Sequence, residues 1–70
     1  MSTQHLVDMA NQIAIAFAHL GEADAVAATE DHIRKFWDPR MRKRLAAALD
    51  ADVSTLDPVA MKAAERLRAQ

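Results

Sequence analysis

The sequence predicts an all-α fold, a small bundle of four short helices, from three observations. Sixteen of the 70 residues are alanine, which forms helices at little entropic cost. The larger apolar residues recur at steps of three and four, which is the period of one face of an amphipathic helix. Asp-Pro occurs twice, and Asp followed by Pro is a strong signal for a helix start. The helices are expected at about residues 4–20, 22–37, 39–50 and 58–69.

The first helix is predicted from an apolar stripe that follows a polar N-terminus. Ser2 or Thr3 is expected to cap its start. Gly21, the only glycine, follows the last apolar residue, where helices commonly end in a left-handed residue. Val7 and Ile15 lie beside the stripe, so one neighbouring helix would not cover the whole apolar surface. The stripe consists of Leu6, Ala10, Ile13, Phe17 and Leu20.

The second helix begins with acidic residues and ends with two aromatic ones. Its first turn contains two carboxylates, which suit the positive end of the helix dipole. Two ion pairs at i and i+4 are expected on its surface, Glu30 with Arg34 and Asp31 with Lys35. Its core-facing residues are expected to be Val26, Thr29 or Glu30, Ile33, and then Phe36 and Trp37.

The two Asp-Pro pairs mark where the remaining helices begin. The residue before a proline avoids the helical region, Asp is a good N-cap, and Pro fits the first helical position. Asp38-Pro39 therefore ends the second helix and starts the third, and Asp57-Pro58 starts the fourth. Leu56 is expected to insert into the core from the connection between them. The inward-facing residues are expected to be Met41, Leu45, Ala48 and Leu49 in the third helix, and Val59, Ala60, Ala63 and Leu67 in the fourth.

Length and composition exclude several classes of protein. A chain of 70 residues forms a single small domain, residues 1–70, which buries only about 60% of its unfolded surface. With no cysteine, it has neither a disulfide framework nor a thiolate metal site. His5, His19 and His32 lack partners at ligand spacing, so no metal site is expected. Neither a phosphate-binding loop nor a nucleophile motif is present, and catalysis by this chain alone is not expected.

Net charge and hydropathy indicate where the protein works. A net charge of −1 argues against binding to nucleic acid or to a membrane surface. No run of residues is apolar enough to span a membrane, and the N-terminus lacks the basic flank of a secretory signal. A soluble, non-exported protein is therefore expected.

The charges are segregated along the chain. Residues 1–31 contain five acids and no Lys or Arg, whereas residues 34–44 contain six of the nine basic residues. Four of these six lie in the N-terminal half of the third helix, where the helix dipole is already positive. This arrangement is explained better by a partner than by a helix face that is only exposed to solvent. The partner would offer acidic groups, a phosphate or exposed carbonyls. The four basic residues are Arg40, Arg42, Lys43 and Arg44.

The aromatic pair adjoins this basic cluster. Phe36 and Trp37 are about 100° apart around a helix, so one is expected to face inward and the other outward. The alternative is that both lie in the core. Aromatic residues beside arginine are typical of interface hot spots. The predicted partner-binding residues are Arg34, Phe36, Trp37, Arg40, Arg42 and Arg44; no catalytic, cofactor-binding or metal-binding residue is predicted.

Two blocks of the sequence are distinctive: Met9-Ala10-Asn11-Gln12-Ile13, with Phe17 after it, and HIRKFWDPRMR at residues 32–42. Both blocks resemble the delta subunit family of soluble NAD-dependent formate dehydrogenases. Leu45 follows the second block, and residues 56–59, LDPV, stand in place of a later family motif. The resemblance covers most of the chain. The departures are a single Phe17 where a Phe pair is common, and residues 50–53, where members often have glycine.

The resemblance implies a non-catalytic accessory subunit of a cytoplasmic molybdenum or tungsten enzyme complex. In that family the alpha subunit contains the bis-pyranopterin guanine dinucleotide metal centre and iron–sulfur clusters. The beta and gamma subunits contain FMN and further clusters, and they reduce NAD. This chain is then expected to bind none of these cofactors, to dock on the catalytic alpha subunit, and to support assembly or stability of the complex.

Three other functions remain open from the sequence. The basic cluster also suits a helper that inserts the anionic pterin cofactor into the same enzyme. The wide apolar stripe of the first helix also suits a self-associating helical bundle. The third helix could act as the recognition helix of a helix-turn-helix nucleic-acid binder, although the net charge and the tight Asp38-Pro39 turn disfavour it.

Overall fold

Four α-helices make up most of the chain in the computed structural model, which describes residues 2–70. They span Thr3–Phe17 (α1), Glu22–Phe36 (α2), Pro39–Ala51 (α3) and Pro58–Arg68 (α4). A 3₁₀ turn, Ala18–Leu20, follows α1, and residues 2–70 contain no β-strand. The predicted all-α fold of four short helices is confirmed. Within the same residues, none of the helices combines the length and the apolar character needed to cross a membrane.

Side-chain hydrogen bonds cap the N-termini of α1, α3 and α4. Ser2 Oγ accepts a hydrogen bond from the backbone N–H of His5 at 3.1 Å. Asp38 Oδ1 accepts one from the N–H of Met41 at 2.9 Å, and Asp57 Oδ1 accepts one from the N–H of Val59 at 2.8 Å. Each cap satisfies an N–H group that has no partner inside its helix, which stabilises the helix by about 1 kcal/mol. Both Asp-Pro predictions are confirmed.

Gly21 joins α1 to α2 through a positive φ. Its φ of 89° and ψ of 158° define a conformation that is essentially restricted to glycine, rather than the left-handed helical conformation that was expected. The α-helix ends at Phe17, and the next three residues form the 3₁₀ turn. A 3₁₀ helix has 3.0 residues per turn, so the turn rotates Leu20 off the apolar stripe. Leu20 is 43% exposed, and its predicted place in the core is wrong.

The core lies where α1 and α4 meet the other two helices. Each of these two helices packs against all three others, whereas α2 and α3 hardly touch each other. Small side chains permit this close packing, because seven alanines are buried: Ala10, Ala14, Ala25, Ala48, Ala60, Ala63 and Ala64. The largest fully buried side chains are Leu6, Ile33, Leu45 and Thr29.

Most of the other predicted core positions are buried or half-buried. Thr29 takes the core position that the sequence left open between Thr29 and Glu30. Val7 is buried because α1 has neighbours on three sides, whereas Ile15 is 63% exposed. The half-buried members of the predicted core are Ile13, Phe17, Met41, Leu49, Val59 and Leu67.

Hydrogen bonds rather than glycines shape the connection between α3 and α4. Asp52 Oδ1 accepts a hydrogen bond from the backbone N–H of Ser54 at 2.9 Å, which lowers the pKa of the Asp52 carboxyl. The N–H of Leu56 donates to the carbonyl of Val53 at 3.0 Å. The turn places Leu56 in the core, as predicted.

Candidate partner-binding surface

The two aromatic residues at the α2–α3 junction lie in different environments. Trp37 is 5% exposed and belongs to the core, whereas Phe36 is 73% exposed. The N–H of Trp37 still donates to the carbonyl of Ile33 at 2.9 Å, as in a helix, but its ψ of 140° is extended. The chain therefore turns into α3 within two residues and leaves Phe36 on the surface. Trp37, which was predicted to bind a partner, is mainly a core residue.

Phe36 belongs to a row of three rings that crosses from α2 to α1. The ring centroids of His32 and Phe36 are 4.8 Å apart, with their planes tilted by 40°. The ring of His32 also lies edge-on to Phe17, at a centroid distance of 6.4 Å. We call Phe17, His32 and Phe36 the aromatic row. The i and i+4 spacing of His32 and Phe36 is a sequence signal for their contact, whereas the place of Phe17 depends on the packing of α1 against α2.

A groove of about 330 Å³ lies beside the aromatic row, between α1 and α2. Trp37 reaches the surface here, so its small exposed part lines the groove. Most of the other lining side chains are apolar, and a partner that fills the groove would bury them together. The lining residues are Met9, Gln12, Ile13, Ala16, His32 and Trp37.

The basic residues of α3 surround its N-terminal half and form the feature that we call the basic end. It consists of Arg40, Arg42, Lys43 and Arg44, and the first turn of α3 contains no acidic residue. Among residues 2–70, Arg40, Arg42 and Lys43 form no ion pair. The helix dipole adds to this positive charge rather than opposing it. The basic end is therefore suited to an acidic partner.

The basic end faces two directions. Arg40 and Arg44 line a small cavity of about 170 Å³ with Asp38 and Met41. Arg42 instead lies beside α4. Together with Lys43 it lines a groove of about 350 Å³, whose other lining residues include Leu67, Arg68 and Gln70. One flat partner surface would not reach all four basic side chains at once.

Arg34 does not belong to the same surface as Phe36. The two residues are about 160° apart around α2, because each residue turns an α-helix by about 100°. Asp31 accepts hydrogen bonds from Lys35 and Arg34, which together hold the pKa of the Asp31 carboxyl below its usual value. The predicted Asp31–Lys35 pair is confirmed at 3.0 Å.

The predicted pair of Glu30 with Arg34 is wrong. The side chain of Glu30 is only 13% exposed and faces α4, where Arg66 Nε approaches Glu30 Oε1 at 2.9 Å. The bundle places this cation nearer to Glu30 than the arginine one turn along α2. Arg34 pairs with Asp31 instead.

The basic residues of α4 differ from those of α3 because each has an acidic partner. Lys62 Nζ lies 2.6 Å from Glu22 of α2, and Arg68 lies 2.8 Å from Asp50 of α3. With the Glu30–Arg66 pair, these contacts connect α4 to α2 and α3. The basic residues of α4 are thus paired within the fold, whereas Arg40, Arg42 and Lys43 form no ion pair among residues 2–70.

Potential metal ligands do not cluster in the part of the chain that the structure describes. The sequence has no cysteine, and in the described part of the chain no three His, Asp or Glu side chains converge as metal ligands. The aromatic row contains one histidine and no carboxylate.

The chain was compared with known proteins and families. The family model of the NADH-dependent formate dehydrogenase delta subunit, FdsD, matches residues 5–64. No curated protein and no solved structure matches the chain. The matched range includes α2, α3, most of α1 and α4, and every residue of the aromatic row and the basic end. The chain therefore belongs to the FdsD family of formate dehydrogenase delta subunits.

Proposed function

We propose that this chain is a non-catalytic delta subunit that docks on the catalytic alpha subunit of a cytoplasmic NAD-dependent formate dehydrogenase. It supports the assembly or stability of a complex that also contains beta and gamma subunits. The observation that best supports docking is the exposure of Phe36 beside Arg40, Arg42 and Lys43, which form no ion pair among residues 2–70. Membership of the delta subunit family supports the identity of the complex.

The energetics favour this surface as the docking site. A large aromatic side chain that is buried on binding contributes strongly to affinity, and arginines beside it are typical of interface hot spots. The ion pairs of α4 are already formed within the fold, so contact with a partner at this side would add little binding free energy.

The redox cofactors belong to the other subunits in this proposal. The alpha subunit holds the molybdenum or tungsten bis-pyranopterin guanine dinucleotide and iron–sulfur clusters. The FMN, further clusters and the NAD site lie in the beta and gamma subunits. The delta chain acts through protein contacts, consistent with its lack of cysteine.

Co-purification of the complex tests the proposal. The double variant Phe36→Ala/Arg40→Glu removes the exposed ring and reverses one unpaired charge. We expect it to co-purify with the alpha subunit at less than about a tenth of the wild-type yield, because a hot-spot loss of ~2 kcal/mol exceeds a tenfold change in affinity. Circular dichroism of the isolated variant checks that it keeps its helices.

A matched control carries the same kinds of change on other surfaces. Val53→Ala removes an exposed apolar side chain from the α3–α4 connection, and Lys62→Glu reverses a charge on α4. This control should co-purify like the wild type. If the Phe36/Arg40 variant is folded and also co-purifies fully, the proposed docking surface is wrong.

A further inference from the structure

The aromatic row and the basic end together point to one kind of occupant. Building on the proposed function, we infer that they receive an acidic amphipathic segment of the catalytic subunit. Apolar side chains of that segment enter the groove between α1 and α2 and pack on Phe36. Its carboxylates pair with Arg40 and Lys43.

The apolar half of the site is a groove between two helices. Such grooves are the common docking sites for amphipathic segments, whose apolar residues insert at regular spacing. Met9, Ile13 and Ala16 form the α1 wall, and His32 and Trp37 form the other side. Phe36 stands beside this groove and is mostly exposed, so an apolar residue placed there would cover its ring.

The charged half of the site begins at the residue that directly follows Trp37. Trp37 lines the groove, and the next residue, Asp38, lines a shallow cavity of about 570 Å³ together with Pro39, Arg40 and Lys43. Asp38 is the only acidic residue between His32 and Leu49. Its single negative charge cannot balance both cations, and it forms no ion pair with Arg40 or Lys43 among residues 2–70. Carboxylates from outside the fold are needed to do so.

The charges of this chain disfavour a second copy as the occupant. Of its ten acidic side chains, only those of Asp24 and Glu65 form no hydrogen bond or ion pair within residues 2–70. A second copy would have to break internal contacts to offer more carboxylates, whereas a different protein need not. The eight engaged carboxylates are Asp8, Glu22, Glu30, Asp31, Asp38, Asp50, Asp52 and Asp57.

Photo-crosslinking in the assembled complex identifies the occupant. Phe36→p-benzoylphenylalanine keeps an aromatic side chain at this exposed position, and Val53→p-benzoylphenylalanine serves as the control on another surface. We expect the Phe36 probe to crosslink to an alpha-subunit peptide with apolar residues flanked by Asp or Glu. Crosslinks to a second copy of this chain, or to an alpha-subunit segment without carboxylates, would overturn the inference.

The salt dependence of binding separates this inference from the proposed function. Affinity of the isolated chain for the alpha subunit is measured from low to high salt, for the wild type and for Arg40→Gln/Lys43→Gln. The wild type should bind more weakly as salt rises, and the variant should bind about tenfold more weakly at low salt, with a flatter salt dependence. The control Lys62→Gln/Arg66→Gln, which removes paired cations on α4, should match the wild type in its salt dependence.

The outcomes of the salt experiment are distinct. Tight binding with equal salt dependence in the wild type and the Arg40/Lys43 variant would refute the acidic occupant but leave docking intact. If the wild-type chain shows no binding to the alpha subunit at any salt concentration, both the inference and the proposed function are wrong.

Discussion

The side-chain carbonyl of Asn11 accepts a hydrogen bond from the backbone N–H of Asp57 at 2.8 Å. The amide nitrogen of the same side chain donates to the backbone carbonyl of Thr55 at 2.7 Å. Asn11, in the middle of α1, therefore fixes the end of the connection between α3 and α4, including Asp57, the N-cap of α4. This gives Asn11 a structural role within the segment from Met9 to Ile13.

Replacing Asn11 by alanine should destabilise the fold. The variant Asn11→Ala removes both hydrogen bonds and leaves two backbone groups of the connection without their partner, so we expect the free energy of unfolding to fall by about 1–3 kcal/mol. Urea unfolding followed by circular dichroism measures the loss. Gln12→Ala, an exposed neighbour on α1, is the control and should change the free energy by less than about 0.5 kcal/mol. Equal stability of the two variants would contradict this role for Asn11.

Replacing Thr29 by valine should stabilise the fold. Thr29 is completely buried, and its hydroxyl has no hydrogen-bond partner among residues 2–70. Valine has nearly the same shape without the hydroxyl, so Thr29→Val should raise the free energy of unfolding by about 1 kcal/mol. Thr29→Ser keeps the hydroxyl, removes the methyl group and should destabilise. The prediction fails if valine lowers the midpoint of thermal unfolding.

Truncation of the two neighbouring aromatic residues should affect different properties. Trp37→Ala creates a cavity in the core and should lower the free energy of unfolding by about 3–5 kcal/mol. Phe36→Ala removes an exposed ring and should change it by less than about 0.5 kcal/mol, while weakening binding to the alpha subunit. Both variants are measured by denaturant unfolding, which gives the free energy of unfolding, and by a binding assay with the alpha subunit. A large loss of stability in Phe36→Ala would contradict the assignment of this side chain to the surface.

The ion pairs of Asp31 should make stability depend on acid pH. Hydrogen bonds from Lys35 and Arg34 lower the pKa of Asp31 in the folded state, so the unfolded chain binds its proton more readily. The stabilisation is therefore present above the unfolded pKa of about 3.9 and is lost as pH falls through the lower folded pKa. Asp31→Asn should flatten the fall in stability over this acidic range. Unfolding measured at several pH values below about 5 tests this.

A double-mutant cycle isolates the contribution of these pairs. In the background Arg34→Gln/Lys35→Gln, the Asp31 carboxylate no longer has its cationic partners. Adding Asp31→Asn to that background should then change the acid dependence of stability very little. An undiminished effect of Asp31→Asn would show that the acid dependence has another origin.

Local sequence signals predicted the helices well. Asp38 and Asp57 each combine a capping side chain with a following proline, and both interactions lie within four residues of sequence, so no tertiary information is needed to find them. The apolar period predicted most of the core. It was wrong at Leu20 because the period itself changes where α1 tightens into a 3₁₀ turn.

The candidate surface was only partly predictable, because its composition depends on how the helices pack. The sequence left open whether Phe36 or Trp37 is exposed, and the answer depends on the extended backbone at Trp37. Likewise, Glu30 pairs with Arg66, 36 positions along the chain, rather than with the nearby Arg34. The sequence does contain a signal for the hydrogen bonds that Asn11 forms with the α3–α4 connection. Asn11 is a polar, weakly helix-forming residue in the middle of an apolar helix, which often indicates a specific hydrogen bond.

Among the described residues, α1 and α4 are the two helices that touch every other helix, and this affects the order in which the fold forms during synthesis. Until α4 has been synthesised, α2 and α3 lack one of the two helices that both of them pack against, and apolar residues such as Leu6 and Leu45 are incompletely covered. Contacts between distant parts of a chain form late in folding. The nascent chain should therefore complete this four-helix fold only after α4 has been synthesised and has left the ribosome.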